Sequence, residues 1–303
     1  MQLLKTLTSI PGPSGNEKPV RDFILNYVNR EMGSWKVRPE ILAGEVYQDN
    51  IILVFGNPRT AVFSHIDTVG FTVRYEDQLV PIGGPEAITG SKLVGRDHIG
   101  EISCELLVDE EYHVRYKFGR PIATGTELLY KPDFRDTAEF IQSPYLDNRL
   151  GNYVALKLAE TLENGIIVFS TWEEHGGGAV PFLIRELYEK YKITQALVCD
   201  ITWVTEGVRH GEGVAISMRD RNIPRRAFVE RIIALAQKNQ VAFQIEVEGA
   251  GSSDGREIQQ SPYPIDWCFV GAPEDHVHSP DEKVHKADIE SMIQLYQVLM
   301  KEL

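Results

Sequence analysis

The sequence predicts a three-layer α/β fold built on a mixed sheet, with a small β-rich domain inserted into it. Three observations support this fold class. Short apolar runs typical of buried strands alternate with helix-length amphipathic segments in the second half of the chain. A stretch from about residue 68 to residue 145 shows no helical periodicity, and glycine and proline divide it into short β-like pieces. The 303 residues are enough for one large domain or two smaller ones.

The first predicted helix follows a turn cluster of glycine and proline at residues 11–15. From Glu17 to Met32 the apolar residues repeat at helical spacing. Ser14 or Asn16 is expected to cap this helix, since both residue types accept hydrogen bonds from the first helical N–H groups.

The remaining elements of the α/β part are predicted from apolar runs and from helical periodicity. Strands are expected at residues 50–55, 61–64, 166–169, 196–199, 214–218, 243–247 and 267–270. Helices are expected at residues 150–162, 181–191, 226–239 and 288–303. The insertion, at residues 68–145, is expected to contain strands only and to form a small barrel.

The composition excludes several classes of partner and location. The net charge of −13 and the pI near 5.1 argue against binding to nucleic acid or to an anionic membrane. Three distant cysteines without a CxxC pair are interpreted as small buried hydrophobes in a reducing compartment. The first ten residues lack a secretory apolar core, and no apolar run approaches the ~18 residues of a membrane span. We therefore expect a cytoplasmic protein.

Two adjacent glutamates, Glu173 and Glu174, stand where a predicted strand gives way to a glycine-rich turn. On an extended backbone neighbouring side chains point to opposite sides, so one carboxylate can hold a metal ion while the next faces a substrate. An isolated Glu-Glu pair is more typical of a solvated acidic turn. The functional interpretation therefore depends on partners elsewhere in the chain.

Further metal-binding residue types follow other predicted strands, and in open α/β sheets ligands bind at the carboxyl ends of strands. Each of these residues alone has an ordinary explanation as a surface pair, a turn residue or a loop histidine. Their common placement is what favours a shared site. They are His65, Asp67, Asp200 and His278, together with Asp147, which lies where the chain returns from the insertion.

The order of these residues resembles that of the co-catalytic dinuclear zinc exopeptidases, and more narrowly metallopeptidase family forty-two, the glutamyl and tetrahedral aminopeptidases. Local signatures of that family recur along nearly the whole chain. They include His65-Ile66-Asp67, Leu146-Asp147-Asn148-Arg149, Glu173-Glu174, Gly249-Ala250-Gly251 with Asp254, and His278-Ser279-Pro280. The resemblance implies a zinc-exopeptidase-like catalytic domain from residues 1–67 and 146–303, interrupted by a β-rich insertion domain at residues 68–145.

The resemblance also implies a role for each residue of the site. His65, Asp147 and Asp200 would bind one divalent ion, and Asp147, Glu174 and His278 would bind a second, with Asp147 shared. Asp67 would orient the His65 ring. Glu173 would act as the general base in a metal-dependent aminopeptidase acting on short peptides.

Zinc is the first expectation for both ions, because imidazole and carboxylate suit it, although cobalt or manganese would also fit. The family implies self-association as a dimer or a dodecamer. His276 shares a strand face with His278 and is its rival as a ligand. His175 and the glycines that follow depart from the family pattern, so His175 is expected either to line the pocket or to serve the structure.

Two other functions use the same residues. A deacylase or carboxypeptidase would have the same metal core, and a scaffold or binding protein would keep it without turnover. The intact Glu173 and the full ligand set argue against the scaffold. The residue specificity of the pocket is open, because its lining lies on loops.

Overall fold

A computed structural model describes all residues from 1 to 303. Its helices are α1 (Gln2–Leu7), α2 (Lys18–Glu31), α3 (Leu146–Ala159), α4 (Val180–Tyr191), α5 (Arg226–Lys238), α6 (Asp254–Gln260) and α7 (Lys286–Glu302). Its strands are β1 (Glu40–Leu42), β2 (Ile51–Phe55), β3 (Thr60–His65), β4 (Gly70–Val73), β5 (Leu79–Ile82), β6 (Lys92–Arg96), β7 (Glu101–Val108), β8 (Val114–Lys117), β9 (Glu127–Tyr130), β10 (Arg135–Asp136), β11 (Phe140–Gln142), β12 (Gly165–Ser170), β13 (Gln195–Trp203), β14 (Val214–Arg219), β15 (Phe243–Val247), β16 (Asp266–Asp275) and β17 (Lys283–His285). None of the helices combines the length and the apolarity that crossing a bilayer would need.

An eleven-stranded mixed sheet forms the centre of the molecule. Its main path runs β1-β2-β12-β3-β13-β16-β17-β11-β10, and β14 and β15 extend it beside β16. The strands β12, β3, β13 and β16 are parallel, whereas β2 and β17 pair antiparallel with their neighbours. The predicted α/β class with a mixed sheet is confirmed.

Helices cover both faces of this sheet, which gives the three predicted layers. Along β2 the side chains alternate between two cores: Ile51, Leu53 and Phe55 belong to one, and Ile52 and Val54 to the other. The first core also contains α1, α2, α3, α5 and α7, and the second contains α4 and α6. The period of two along a strand therefore divides the buried apolar residues between the two faces.

A second sheet of six strands, ordered β5-β4-β9-β6-β7-β8, has its own apolar core. Its two end strands approach each other, and an isolated bridge joins Gln78 to Arg115. No helix occurs between residues 68 and 145, as the sequence predicts. The last strands of that stretch, β10 and β11, pair instead with the large sheet through β17. The division into domains at residues 68 and 145 stays a prediction.

Two central strands are longer than predicted. β13 extends to Trp203 and β16 to Asp275, because the two remain paired in continuous register from Gln195 opposite Asp266 to Trp203 opposite Glu274. Because of this pairing, the ends of both strands include polar residues and Pro273. The local propensity of these residues would favour a turn. Asp200 consequently lies within a strand and not after its end.

The predicted cap of the helix α2 is wrong. Glu17 occupies the N-cap position, and no side chain caps the helix. The Ser14 hydroxyl donates instead to Asp67 Oδ2 at 2.6 Å, and Asn16 Nδ2 donates to Glu127 Oε2 at 2.7 Å. Both side chains have distant partners, which local sequence does not reveal.

The three cysteines are buried and form no disulfide, which confirms their interpretation as small core residues. Cys104 lies in the second sheet, whereas Cys199 and Cys268 lie in the large one. Burial raises the pKa of all three thiols, to about 11 for Cys104. A buried thiol with a raised pKa carries little thiolate and is chemically inert.

Candidate metal centre

The first donor group, here called group A, consists of His65, Asp147 and Asp200. His65 is the last residue of β3, Asp200 lies in the neighbouring parallel strand β13, and Asp147 is the second residue of α3. His65 Nε2 lies 3.2 Å from Asp147 Oδ1 and 3.4 Å from Asp200 Oδ2. All three side chains are buried, so solvent has little access to group A.

The second donor group, group B, consists of Asp147, Glu174 and His278. His278 Nε2 lies 3.2 Å from Asp147 Oδ2 and 3.1 Å from Glu174 Oε2. Glu174 follows β12, and His278 lies in the loop between β16 and β17. Asp147 therefore serves both groups, with one oxygen towards each histidine.

The polar atoms of these groups are poorly satisfied by the protein alone. His65 Nδ1, Asp147 Oδ1 and Glu174 Oε1 are buried without a hydrogen-bond partner. Buried carboxylates gathered without compensating cations are costly, because their desolvation and mutual repulsion are not offset. In each group the ligand atoms lie within 4.8 Å of one another, so each could hold a divalent cation.

Burial and charge shift the pKa values of the acidic residues in opposite directions. Burial raises the pKa of Glu173 well above its ordinary value, and the charges of Asp254, Asp200 and Glu174 add to this, against the opposing charge of His65. Burial, followed by the charge of Asp147, raises the pKa of Glu174 to about 7. Asp147 also loses solvation on burial, but the adjacent imidazoles of His278 and His65 hold its pKa below the usual range.

Asp67 is fully buried behind group A and connects it to the two glutamates. Its Oδ1 lies 3.4 Å from His65 Nδ1 and accepts the backbone N–H of Glu173 at 3.1 Å. Its Oδ2 accepts the backbone N–H of Glu174 at 3.0 Å and the Ser14 hydroxyl at 2.6 Å. One carboxylate thus lies beside the His65 ring and accepts hydrogen bonds from the turn that carries both glutamates.

A cavity of about 270 Å³ opens onto both groups. Six of the seven residues expected from the sequence line it, and the seventh, Asp67, lies behind them: the six are His65, Asp147, Glu173, Glu174, Asp200 and His278. The fold therefore brings together residues that lie far apart in the chain.

The two other histidines considered from the sequence lie elsewhere. His276 is exposed and belongs to neither donor group. His175 does not line the cavity of the site, and its Nδ1 accepts the backbone N–H of Gly83 at 2.9 Å. His175 thus connects the glutamate turn to the second sheet.

Two buried carboxylates near the site escaped the sequence analysis. Glu282 is buried, and its Oε2 accepts the backbone N–H of Asp147 at 3.1 Å. Asp254 is buried beside Ser170, whose hydroxyl donates to it at 2.7 Å. Glu282 lies in the charged run Asp281-Glu282-Lys283, which is typical of a solvated turn, whereas Asp254 lay in a recognised motif without an assigned role.

Comparison with known proteins agrees with the resemblance inferred from the sequence. The family model described as M42 glutamyl aminopeptidase matches residues 96–295. A protein from Acetivibrio thermocellus described as "Putative aminopeptidase" is 25% identical over 331 residues, which cover 97% of this chain and 96% of the relative.

Two solved structures share the fold. The aminopeptidase APDkam598 from Desulfurococcus kamchatkensis superposes with a TM-score of 0.87 at 21% identity, covering 100% of this chain and 94% of the other. The TET1 peptidase of Pyrococcus horikoshii, which can assemble into a tetrahedron or a large octahedral shell, gives 0.82 at 21% identity, covering 100% and 99%.

Proposed function

Because the chain belongs to the M42 glutamyl aminopeptidase family, we propose that it is a metal-dependent aminopeptidase that removes N-terminal residues from short peptides. The observation that carries this proposal is the pair of donor groups that share Asp147 and open, together with Glu173, onto one cavity. A single carboxylate between two histidine-containing groups is the arrangement expected for two cations held side by side.

Group A would hold one ion through His65, Asp147 and Asp200, and group B the other through Asp147, Glu174 and His278. When bound, the ions would polarise the scissile carbonyl and make water a better nucleophile at neutral pH. Zinc is the proposed metal, because imidazole nitrogen and carboxylate oxygen are ligands that it accepts readily. Cobalt and manganese remain the alternatives.

Glu173 is the proposed general base. It lines the cavity and is not a member of either donor group, so its carboxylate is free to exchange a proton. It would take a proton from the attacking water and return it to the amine that leaves. Burial and the nearby acidic charges raise the pKa of Glu173 above its ordinary value, which makes its carboxylate a stronger base.

Asp67 would act by position and not by proton transfer. It accepts the backbone N–H groups of both glutamates, so the base and one ligand are held by the same carboxylate that faces the His65 ring. Partners of this kind typically change metal affinity or activity by ~10–100-fold when they are removed.

Assembly, location and domain organisation complete the proposal. The TET1 relative forms large shells, and we propose that this chain also self-associates, as a dimer or a dodecamer. Residues 68–145 would form the inserted domain, with the second sheet as its core and β10–β11 as its connection to the large sheet. We place the protein in the cytoplasm, where reduced cysteines are expected.

The adjacent glutamates provide the sharpest test. Glu173→Gln should retain both ions and lose roughly 10²–10⁴-fold in kcat, since general acid–base catalysis contributes about that much. Glu174→Gln should lose metal from group B. The measurements are metal analysis of each purified variant and turnover of aminoacyl substrates. Near-normal turnover by Glu173→Gln would remove it from the role of base.

Product analysis separates the competing functions. Release of the N-terminal residue from an unblocked peptide supports the aminopeptidase. Release of the C-terminal residue or of an acyl group would identify a carboxypeptidase or deacylase, and bound metal without hydrolysis of any peptide would identify a scaffold.

A further inference from the structure

The cavity continues beyond the donor groups into a region whose walls carry a second set of carboxylates. Asp220, Glu246 and Glu248 line it, and none of them belongs to group A or group B. Asp220 directly follows β14, and Glu246 lies in the paired strand β15. We call Asp220, Glu246 and Glu248 the acidic wall.

These carboxylates are held in place by neutral groups only. Asp220 Oδ1 accepts from the side-chain amide of Asn222 at 3.2 Å and from its backbone N–H. Glu246 Oε1 accepts from the hydroxyl of Thr202. Glu248 Oε1 accepts the backbone N–H groups of the two residues that follow it. Their positions are therefore set without neutralising their charges.

No lysine, arginine or histidine nitrogen lies within 4.0 Å of any carboxylate of the acidic wall. The adjacent Arg219 donates its Nε–H to the backbone carbonyl of Asp220 at 3.0 Å and not to its carboxylate. Asp220 and Glu246 are each only 6% exposed, and Asp220 Oδ2 is buried with no hydrogen-bond partner. A buried carboxylate that no cation compensates lies in the cavity wall, so a positive charge placed in the cavity beside it would be stabilised.

Apolar side chains also line this cavity. Trp203, Phe269 and Val277 line the same cavity, and Trp203 is 40% exposed. Such a surface suits the methylene stem of a lysine or arginine side chain, which packs on apolar groups while its charged end reaches polar ones. The Trp203 ring can also attract a cation to its face.

The cavity lining contains no lysine or arginine, so nothing in it would compensate an acidic ligand. We propose that the acidic wall selects peptides whose first residue is lysine or arginine, the side-chain cation lying against Asp220 and Glu246. This inference rests on the proposed aminopeptidase function and specifies its substrate class. Burial raises the pKa of both residues, and an arriving cation would favour their ionised forms.

The test compares the hydrolysis of lysyl, arginyl, leucyl and glutamyl amides by the metal-loaded enzyme. The kcat/KM for lysine or arginine should exceed that for leucine by roughly 10–100-fold and that for glutamate by more, since a buried like-charge pair is strongly unfavourable. In Asp220→Asn and Glu246→Gln the lysine-to-leucine ratio should fall by at least about 10-fold. The exposed Glu212, which lies outside the cavity, provides a charge-matched control, Glu212→Gln, that should keep the ratio.

A binding measurement keeps the inference independent of turnover. Free L-lysine and L-norleucine share the same stem, but norleucine lacks the terminal ammonium. Calorimetry should show tighter binding of lysine to the wild type, and Asp220→Asn should remove the difference. Equal binding of the two amino acids would overturn the inference, as would a wild-type preference for leucine or glutamate. If no amide is cleaved, the proposed function fails, and this binding comparison alone decides whether the wall selects cations.

Discussion

Groups A and B share Asp147 but are built differently. Group A takes its other donors from two neighbouring strands of the large sheet, and its His65 side chain is 2% exposed. Group B takes its other donors from two loops, and its His278 side chain is 30% exposed. His278 also contacts the loop after β5: its Nδ1 lies 3.1 Å from the Gly84 carbonyl, and its own carbonyl accepts the N–H of Glu86 at 2.9 Å.

This difference indicates that the two halves of the site depend on different parts of the molecule. Strand register sets the geometry of group A. Close packing throughout the core holds that register in place. Group B depends in addition on how the second sheet packs against the large one. His175 reinforces that contact, since it accepts the N–H of Gly83 at 2.9 Å. A substitution in the second sheet should therefore disturb the geometry of group B more than that of group A.

The largest expected effect comes from Asp147, the donor that the two groups share. Asp147→Asn should reduce metal binding in both, and activity should fall by more than the roughly 10–100-fold typical of losing an outer partner of a ligand. Asp200→Asn should affect group A alone, and His278→Gln group B alone. Metal content per chain, measured for all three variants, should therefore be lowest for Asp147→Asn. Retention of both ions by that variant would show that Asp147 is not shared.

Removal of the metal should distinguish the groups by order of release. Titration with a chelator should release the ion of the more exposed group B first and that of group A second. Ions that bind only the folded chain stabilise it by about 4 kcal/mol at 1,000 times their Kd, so the melting temperature should drop at each step. Release of both ions in one step would contradict independent groups. Metal analysis and thermal unfolding on the same samples give the answer.

The pH dependence of stability tests the surroundings of group A. Glu17 is 1% exposed, and burial raises its pKa from 4.5 to about 7, with the charge of Asp67 adding to this and the N–H of Gly15 opposing it. Below pH 4.5 both the folded and the unfolded chain hold the proton, so Glu17 has no effect on stability there. Between pH 4.5 and about 7 the unfolded chain ionises first, and the stability contributed by the residue falls as the pH rises.

Glu17→Gln removes this cost and can still accept the N–H of Gly15. The variant should match the wild type near pH 4 and exceed it by about 3 kcal/mol above pH 7, since the pKa difference between 4.5 and about 7 is worth ~1.4 kcal/mol per pKa unit. Denaturant unfolding across that range measures the difference. An advantage that grows towards acid pH would refute the assignment.

The smallest effect is expected from a pair of neighbouring glycines. Gly83 has φ +68°, and a Cβ there would lie 3.0 Å from the Glu174 carbonyl oxygen, whereas a Cβ on Gly84 would only contact His278 at 3.5 Å. Gly83→Ala should cost roughly 1–2 kcal/mol through backbone strain and weaken the binding of metal to group B. Gly84→Ala is the matched control and should keep the metal affinity of group B. Equal metal affinity in both variants would show that group B does not depend on this loop.

Much of the large sheet could be predicted from the sequence, because buried parallel strands are short apolar runs and helices have a clear period. The order of His65, Asp147, Glu174, Asp200 and His278 also follows from the chain, through its likeness to a known family. The structure adds the geometry that the order alone lacks, namely that one oxygen of Asp147 faces each histidine.

The supporting contacts could not be predicted, because their partners are distant in the chain. Ser14 and Asp67 are 53 residues apart, and Asp67 and the Glu173 N–H are 106 apart. Glu246 belongs to a strand whose alternation suggests an outward polar residue, yet it is buried in the cavity wall. Burial of a polar side chain depends on what packs against it, and periodicity reports only which face it occupies.

The distribution of the cysteines has a practical consequence for measuring how this molecule opens. Alkylating reagents react with thiolates that reach solvent, so Cys104 in the second sheet and Cys199 and Cys268 in the large sheet should be modified only when their surroundings unfold. Mass spectrometry of the three thiols over time would then report the opening rate of each sheet separately. The native chain thus already contains its own reporters of local unfolding.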